Sequence, residues 1–232
     1  MCMKTLVVVG HPRREDSFTQ QFFKEGLAQF DHVTWMTVDE QQSVAEQRQL
    51  LMAHDRIILQ FPLYWYSVPA ELKRWIDTVF GDTFALAPRY VLQERELGLV
   101  VTTATAATDF GAGRVEPFTM DELLRPFEAL AHRVQMTYLP PLTVHQFAYM
   151  TPDEQQRLLV NYQQYVTAPT FQTLAGRGAW VQAQLAHKLT GLTGDDAIKA
   201  QALLTQLTDN RDALDDLQMN LRLMKDAGDD DE

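Results

Sequence analysis

Cysteine is nearly missing from this sequence: Cys2 stands alone among 232 residues. One thiol makes no intramolecular disulfide and no cysteine metal cage. A reducing compartment, the cytoplasm, is therefore expected. Positive charge is also short. Lys and Arg number 20 against 31 Asp and Glu, a formal net charge of −11. An acidic chain repels phosphate backbones and anionic lipid heads, which argues against nucleic acid or a membrane surface as a partner. No apolar run has the length of a membrane span, and the opening MCMKTLVVVG is too short for a signal-peptide core, so neither insertion nor targeting is expected. The glycine fingerprints of nucleotide sites are missing as well. Neither G-x-G-x-x-G nor a P-loop follows the first apolar run, which speaks against a tightly held NAD or ATP there. No G-x-S-x-G elbow or cysteine–histidine arrangement for hydrolysis occurs, and no histidine pair has metal-ligand spacing, so no metal is expected.

What is present suits one sizeable core. Hydrophobic residues make up 46% and charged residues 22%, ordinary for a globular domain. Lys4 to Val9 is a β-branched run that reads as a buried parallel strand. Further strands are predicted at Val33 to Val38, Asp55 to Phe61, Gly98 to Thr103 and Val134 to Leu139. Between them lie helical patterns from Ser17, over Glu40 to Met52, Pro69 to Phe80 and Thr119 to His132, with a last one over Pro152 to Val166 capped by Thr151. Pro126 marks a kink or second start in the fourth of these. Alternating strands and helices predict an α/β fold: a flavodoxin-like, doubly wound, five-stranded parallel sheet over residues 1–166. A ligand then sits beyond the carboxyl ends of the strands, at the switch between strands one and three. From 167 to 232 no β-branched run returns. Pro169, Gly176, Gly178, Gly191 and Gly194 punctuate the segment, and Asp195 to Lys225 reads as one long helix with Leu203, Leu207, Leu214, Leu217, Leu221 and Met224 in a stripe. This helical C-terminal extension docks on its own domain or serves as an interface. Asp226, Asp229, Asp230, Asp231 and Glu232 end it as a solvated acidic tail.

Three loops carry candidate chemistry. After the first strand comes Gly10-His11-Pro12-Arg13-Arg14-Glu15-Asp16-Ser17-Phe18. A helix beginning at Ser17 offers free N–H groups and a partial positive charge to a phosphate, with a hydroxyl from Ser17 and charge from Arg13 or Arg14. Ser17 suits a plain N-cap equally well. After the third strand comes Phe61-Pro62-Leu63-Tyr64-Trp65-Tyr66-Ser67-Val68-Pro69. Neighbouring side chains on extended backbone point in different directions, so Tyr64, Trp65 and Tyr66 cannot all enter the core. A flat conjugated ring stacked against them would cover their exposed area. After the fourth strand, Thr102, Thr103, Ala104 and Thr105 lead to Phe110 and Gly111, either a plain polar loop or a third wall of the site.

Gln60 to Phe80, QFPLYWYSVPAELKRWIDTVF, closely resembles the signature of the NAD(P)H:quinone oxidoreductase family, which includes the flavin-binding ancillary subunits of glutathione-gated potassium efflux systems. VVVGHPRREDSF resembles that family's phosphate loop, and Arg114 to Pro141, with LLRPFEAL and the run into TYLPPLTVH, is similar to a later helix and strand. The similarity covers Lys4 to Val166. It implies non-covalent FMN, with FAD as the alternative, a homodimer with sites at the subunit interface, and ping-pong transfer of hydride from NAD(P)H to a quinone or similar acceptor. His11, Ser17 and Phe18 would hold the phosphate end, and Pro62, Leu63, Tyr64, Trp65 and Tyr66 would border the ring, with Trp65 and Tyr66 fixing its plane. Where the family has Thr-Thr-Gly-Gly this chain has Thr102-Thr103-Ala104-Thr105, and Phe110 stands near the place of an aromatic hydroxyl. His145 matches a family histidine. The rival roles are a regulatory flavin-binding subunit of a potassium-efflux transporter and an FMN electron carrier.

Overall fold

A computed structural model describes residues 3–13, 17–38, 42–86 and 90–229. Cys2, Arg14, Glu15, Asp16, the start of the predicted second helix and the last three residues of the acidic tail lie outside the described residues. The chain divides into two compact units, Met1–Thr167 and Ala168–Glu232.

In the first unit the strands are β1 (Thr5–Val9), β2 (Val33–Thr37), β3 (Arg56–Pro62), β4 (Glu96–Thr103), β5 (Thr137–Tyr138) and β6 (Leu142–His145). The sheet order is β2-β1-β3-β4-β5, with β6 also on β4, and every pairing is parallel. Parallel strands between two helical layers need apolar side chains on both faces. β1 and β3 meet that need and are buried along their whole length. The chain leaves β1 toward β2, then returns past β1 to β3, so the winding reverses between β1 and β3. This order is that of the flavodoxin-like fold.

The predicted fifth strand, Val134 to Leu139, forms only over Thr137–Tyr138 and continues after a break. Leu139 still donates to Leu97 O at 2.9 Å, but Pro140 and Pro141 have no N–H to continue the ladder. Pairing resumes at Leu142 opposite Val100, so β5 and β6 fill one sheet position in two short pieces.

The helices are α1 (Phe18–Leu27), α2 (Val44–Ala53), α3 (Ala70–Val79), the short α4 (Asp82–Ala85), α5 (Met120–Arg133) and α6 (Pro152–Thr167). α3 places Leu72, Trp75, Ile76 and Val79 in the core, the face that its sequence spacing presents. α2, α5 and α6 each start with a reciprocal cap, Ser43 with Glu46, Thr119 with Glu122 and Thr151 with Glu154. Pro126 interrupts nothing: α5 runs continuously through it. Gly98 matters for another reason. A Cβ there would lie 2.6 Å from the Tyr165 hydroxyl, which accepts from Leu99 N–H at 2.9 Å and joins α6 to β4. Beside it, fully buried Arg56 bonds Glu96 at 2.6 Å and the Tyr165 carbonyl at 2.5 Å.

The second unit consists of α7 (Leu174–Leu189) and α8 (Gly194–Asp229). α7 was not expected, because Gly176 and Gly178 lie inside it. Gly176 has a packing reason: a Cβ there would come 1.8 Å from the Thr170 carbonyl oxygen. Gln182 ties the two helices by bonds with Thr208 and Arg211.

Candidate active site

The carboxyl ends of β1, β3 and β4 bring three loops to one edge. Gly10 donates to Gln60 O at 3.0 Å and Leu63 to Thr102 O at 2.8 Å, so each loop leaves its strand bonded to the next. Gly10 is required by space. A Cβ there would sit 2.5 Å from the Leu72 Cβ, and α3 could not pack so close to the end of β1.

In the first loop, Ser17 caps α1 by accepting from Gln20 N–H at 3.4 Å. That bond uses an oxygen lone pair and leaves the hydroxyl proton free to donate, so capping and anion binding are compatible. The N–H groups of Phe18 and Thr19 have no acceptor among the described residues. The Gln20 side chain bonds Gln60, which accepts from Tyr162, but its Nε2 is buried with a free proton. Unused donors at a helix start fit an anionic group. His11 accepts from Arg13 N–H on Nδ1 at 3.1 Å, which fixes the neutral ring as the Nε2–H tautomer. Burial pushes its pKa below the usual histidine value, opposed by the Glu71 carboxylate and aided by Arg13. Arg13 is exposed, and Phe18 is 83% exposed.

The second loop holds the sharpest local geometry. Tyr64 and Ser67 exchange both backbone hydrogen bonds, closing a two-residue turn. Trp65 and Tyr66 occupy it with φ of 47° and 63°. Both angles lie in the left-handed region, where a side chain costs about 1 kcal/mol or more per residue and glycine or asparagine is usual. The turn lifts Trp65 to 93% exposure and leaves Tyr64 and Tyr66 close to half exposed. The Trp65 and Tyr66 N–H groups have no acceptor among the described residues. Pro62 is buried beneath them at the end of β3.

The third loop folds over this turn. Thr103 accepts from Thr105 N–H on its side chain and from Gln146 N–H on its carbonyl. Ala104 is exposed. Phe110 packs edge-on against His145 and pairs with Glu116, whose backbone bonds Asp109 and Gly111 at 2.9 Å each. His145 donates from Nδ1 to Thr105 O at 3.0 Å. Tyr66 donates its hydroxyl to Glu116 Oε2 at 3.0 Å, a bond that raises the phenol's pKa.

A cavity of about 180 Å³ results, lined by Leu63, Trp65, Tyr66, Thr103, Thr105, Phe110 and Glu116. It joins the second loop to the third. The first loop lies outside it, and Phe18 instead borders a hollow of about 550 Å³ along α1 and Phe147. Glu116, Glu71 and the Gln20–Gln60–Tyr162 chain escaped the sequence reading. Only Gln60 carried a signal, as a polar residue ending an apolar strand. Among the described residues no group of His, Cys, Asp or Glu could hold a metal ion.

Residues 3–167 match a family described by the flavodoxin-like fold. Over 171 residues the chain is 36% identical to YdeQ of Bacillus subtilis, an uncharacterised NAD(P)H oxidoreductase, covering 71% of this chain and 87% of the relative. The solved structure of an NADPH-quinone reductase from P. pentosaceus is 52% identical with a TM-score of 0.70, covering 71% of this chain and 98% of that one. General stress protein 14 of Treponema denticola, solved in complex with FMN, is 28% identical with a TM-score of 0.65, covering 70% and 97%. The chain belongs to the NAD(P)H:quinone oxidoreductase family of the flavodoxin-like fold.

Proposed function

We propose that this protein is a flavin-dependent NAD(P)H:quinone-type oxidoreductase that uses FMN and passes reducing equivalents to a quinone or similar small acceptor in two half-reactions at one site. One observation carries the reading. A strained, glycine-free turn at the carboxyl end of β3 holds Trp65 and Tyr66 out over a cavity shared with the loop after β4. Strain of that kind persists where surrounding structure imposes it, most often at a ligand site. Flavin supplies the redox chemistry: hydride acceptance from the nicotinamide and delivery of two electrons to the second substrate.

The protein's own groups do the rest. Phe18 and Thr19 N–H, the Ser17 hydroxyl and the Arg13 charge bind an anionic tail at the start of α1. Trp65 and Tyr66 fix the plane of an aromatic ring and keep water from one side of it. The free N–H groups of Trp65 and Tyr66 would be available to hold the ring's polar edge and stabilise negative charge there. Neutral His11 fits beside the anionic tail as an Nε2–H donor. The balance is NAD(P)H, a proton and a quinone giving NAD(P)+ and a hydroquinone. FMN is favoured over FAD because the Treponema relative was solved with FMN. The family resemblance favours a homodimer, and the lone cysteine favours the cytoplasm. Among the described residues no helix is long and apolar enough to cross a membrane.

The test is spectroscopic. The purified protein, as isolated or reconstituted with FMN, shows flavin absorbance that NADH or NADPH bleaches anaerobically and a quinone restores. A protein that retains neither FMN nor FAD overturns the reading.

A further inference from the structure

We propose that Glu116 sets the charge selectivity of the acceptor pocket, admitting neutral and cationic aromatic rings and turning away rings that carry carboxylate or sulfonate. The inference deepens the proposed function by naming the acceptor class.

Among the described residues lining the 180 Å³ cavity, Glu116 is the one with an acidic side chain; the others are Leu63, Trp65, Tyr66, Thr103, Thr105 and Phe110. Its position is fixed twice. The backbone is held by Asp109 and Gly111, and the carboxylate accepts from the Tyr66 hydroxyl at 3.0 Å. No lysine or arginine pairs with it among the described residues, and Arg114, two positions away, is exposed. Asp109, on the same loop, adds charge of the same sign. A carboxylate held without a counter-ion at the wall of a small cavity keeps its field directed at whatever enters. A ring anion brought within about 7 Å of it at an effective dielectric near 30 is disfavoured on the order of tenfold, and a cation is favoured by a similar factor. The tyrosine hydrogen bond leaves the net charge in place and orients the carboxylate along the cavity wall. With the flavin ring held against Trp65 and Tyr66, an acceptor would enter beside it and meet the third-loop wall of Phe110 and Glu116, so selectivity falls on its substituent.

The experiment compares wild type, Glu116→Gln and Glu116→Lys as FMN-loaded proteins, using benzoquinone, a carboxylate-bearing benzoquinone and a trimethylammonium-bearing benzoquinone. Within each protein, kcat/KM for each charged quinone is divided by that for the neutral one. The intrinsic reactivity of each ring then cancels between proteins. Glu116→Gln raises the anion-to-neutral ratio about tenfold and lowers the cation-to-neutral ratio, and Glu116→Lys reverses the wild-type preference. Both effects shrink as ionic strength rises. Independently of turnover, redox-inert benzoate and benzyltrimethylammonium are titrated against the oxidised proteins by tryptophan fluorescence. The dissociation constants move in the same directions. Ratios and dissociation constants that stay the same across the three proteins overturn the proposal. Charge-dependent binding that shifts with Glu116, in a protein that turns over no acceptor, sustains it and overturns the oxidoreductase reading instead.

Discussion

The two units handle apolar residues in opposite ways. In the first, Leu6 to Val9 and Ile57 to Leu59 are sealed between helical layers. In the second, α8 carries Ile198 at 69% exposure and Leu217 and Leu221 at 59% each. The family match ends at residue 167, where the first unit ends. The first unit spends its close packing on holding three loops at a sheet edge. The second is a pair of helices around a cavity of about 210 Å³, tied through Gln182. The contrast teaches that the site belongs to the part with a core. The helical addition is stabilised through one seam and a cap at Thr173.

The strongest attempt to break this contrast is to separate the units. Residues 1–169 alone should unfold in one cooperative transition and keep flavin binding. Residues 168–232 alone should lose most of their helical circular dichroism, since two helices of this size bury too little to offset chain entropy. A cooperative melt of the isolated helices would end the comparison. Next in size is Arg56→Leu, which leaves Glu96 and the Tyr165 carbonyl without their partner inside the first unit. Urea unfolding should register a loss of about 3 kcal/mol, and a neutral outcome would mean that α6 holds to the sheet without the Arg56 bonds. Trp65→Gly sharpens the contrast within the first unit by trading function for stability. Relief of the left-handed backbone should raise stability by about 1 kcal/mol, while FMN affinity drops about tenfold as the stacking surface goes. A variant that loses both would place the strain elsewhere. The smallest effect concerns His11. Its folded pKa lies below the ordinary value, so the unfolded chain takes up the proton more readily. The stability it contributes is complete above the ordinary histidine range and is lost as pH falls through the lowered folded value. Thermal melts from pH 7.5 to 5 should therefore fall more in wild type than in His11→Asn.

The first unit was largely legible because its strands are β-branched runs and its helices show apolar spacing, with reciprocal caps at α2, α5 and α6. The fifth strand's break was missed because residues 134–139 look apolar enough for one strand, while the ladder answers to the missing N–H groups of Pro140 and Pro141. α7 was hidden because Gly176 reads as a breaker, and only its approach to Thr170 explains it. In the site, the aromatic loop stood out as three side chains with no room in the core. Its turn type did not, since no glycine or asparagine marks it. Glu116 had no signal at all. It is a single carboxylate in a polar loop, and only the folding of that loop over Tyr66 gives it a neighbour.

The split of the last sheet position has a consequence for the protein's behaviour in crowded solution. An outermost strand with an uninterrupted row of free backbone groups is a template on which other chains add, the first step toward fibrils. Here β5 spans two residues and β6 four, with two imino acids between them. The border that would otherwise recruit stray strands offers them no continuous run to match, so this flank of the sheet should resist fibrillar growth.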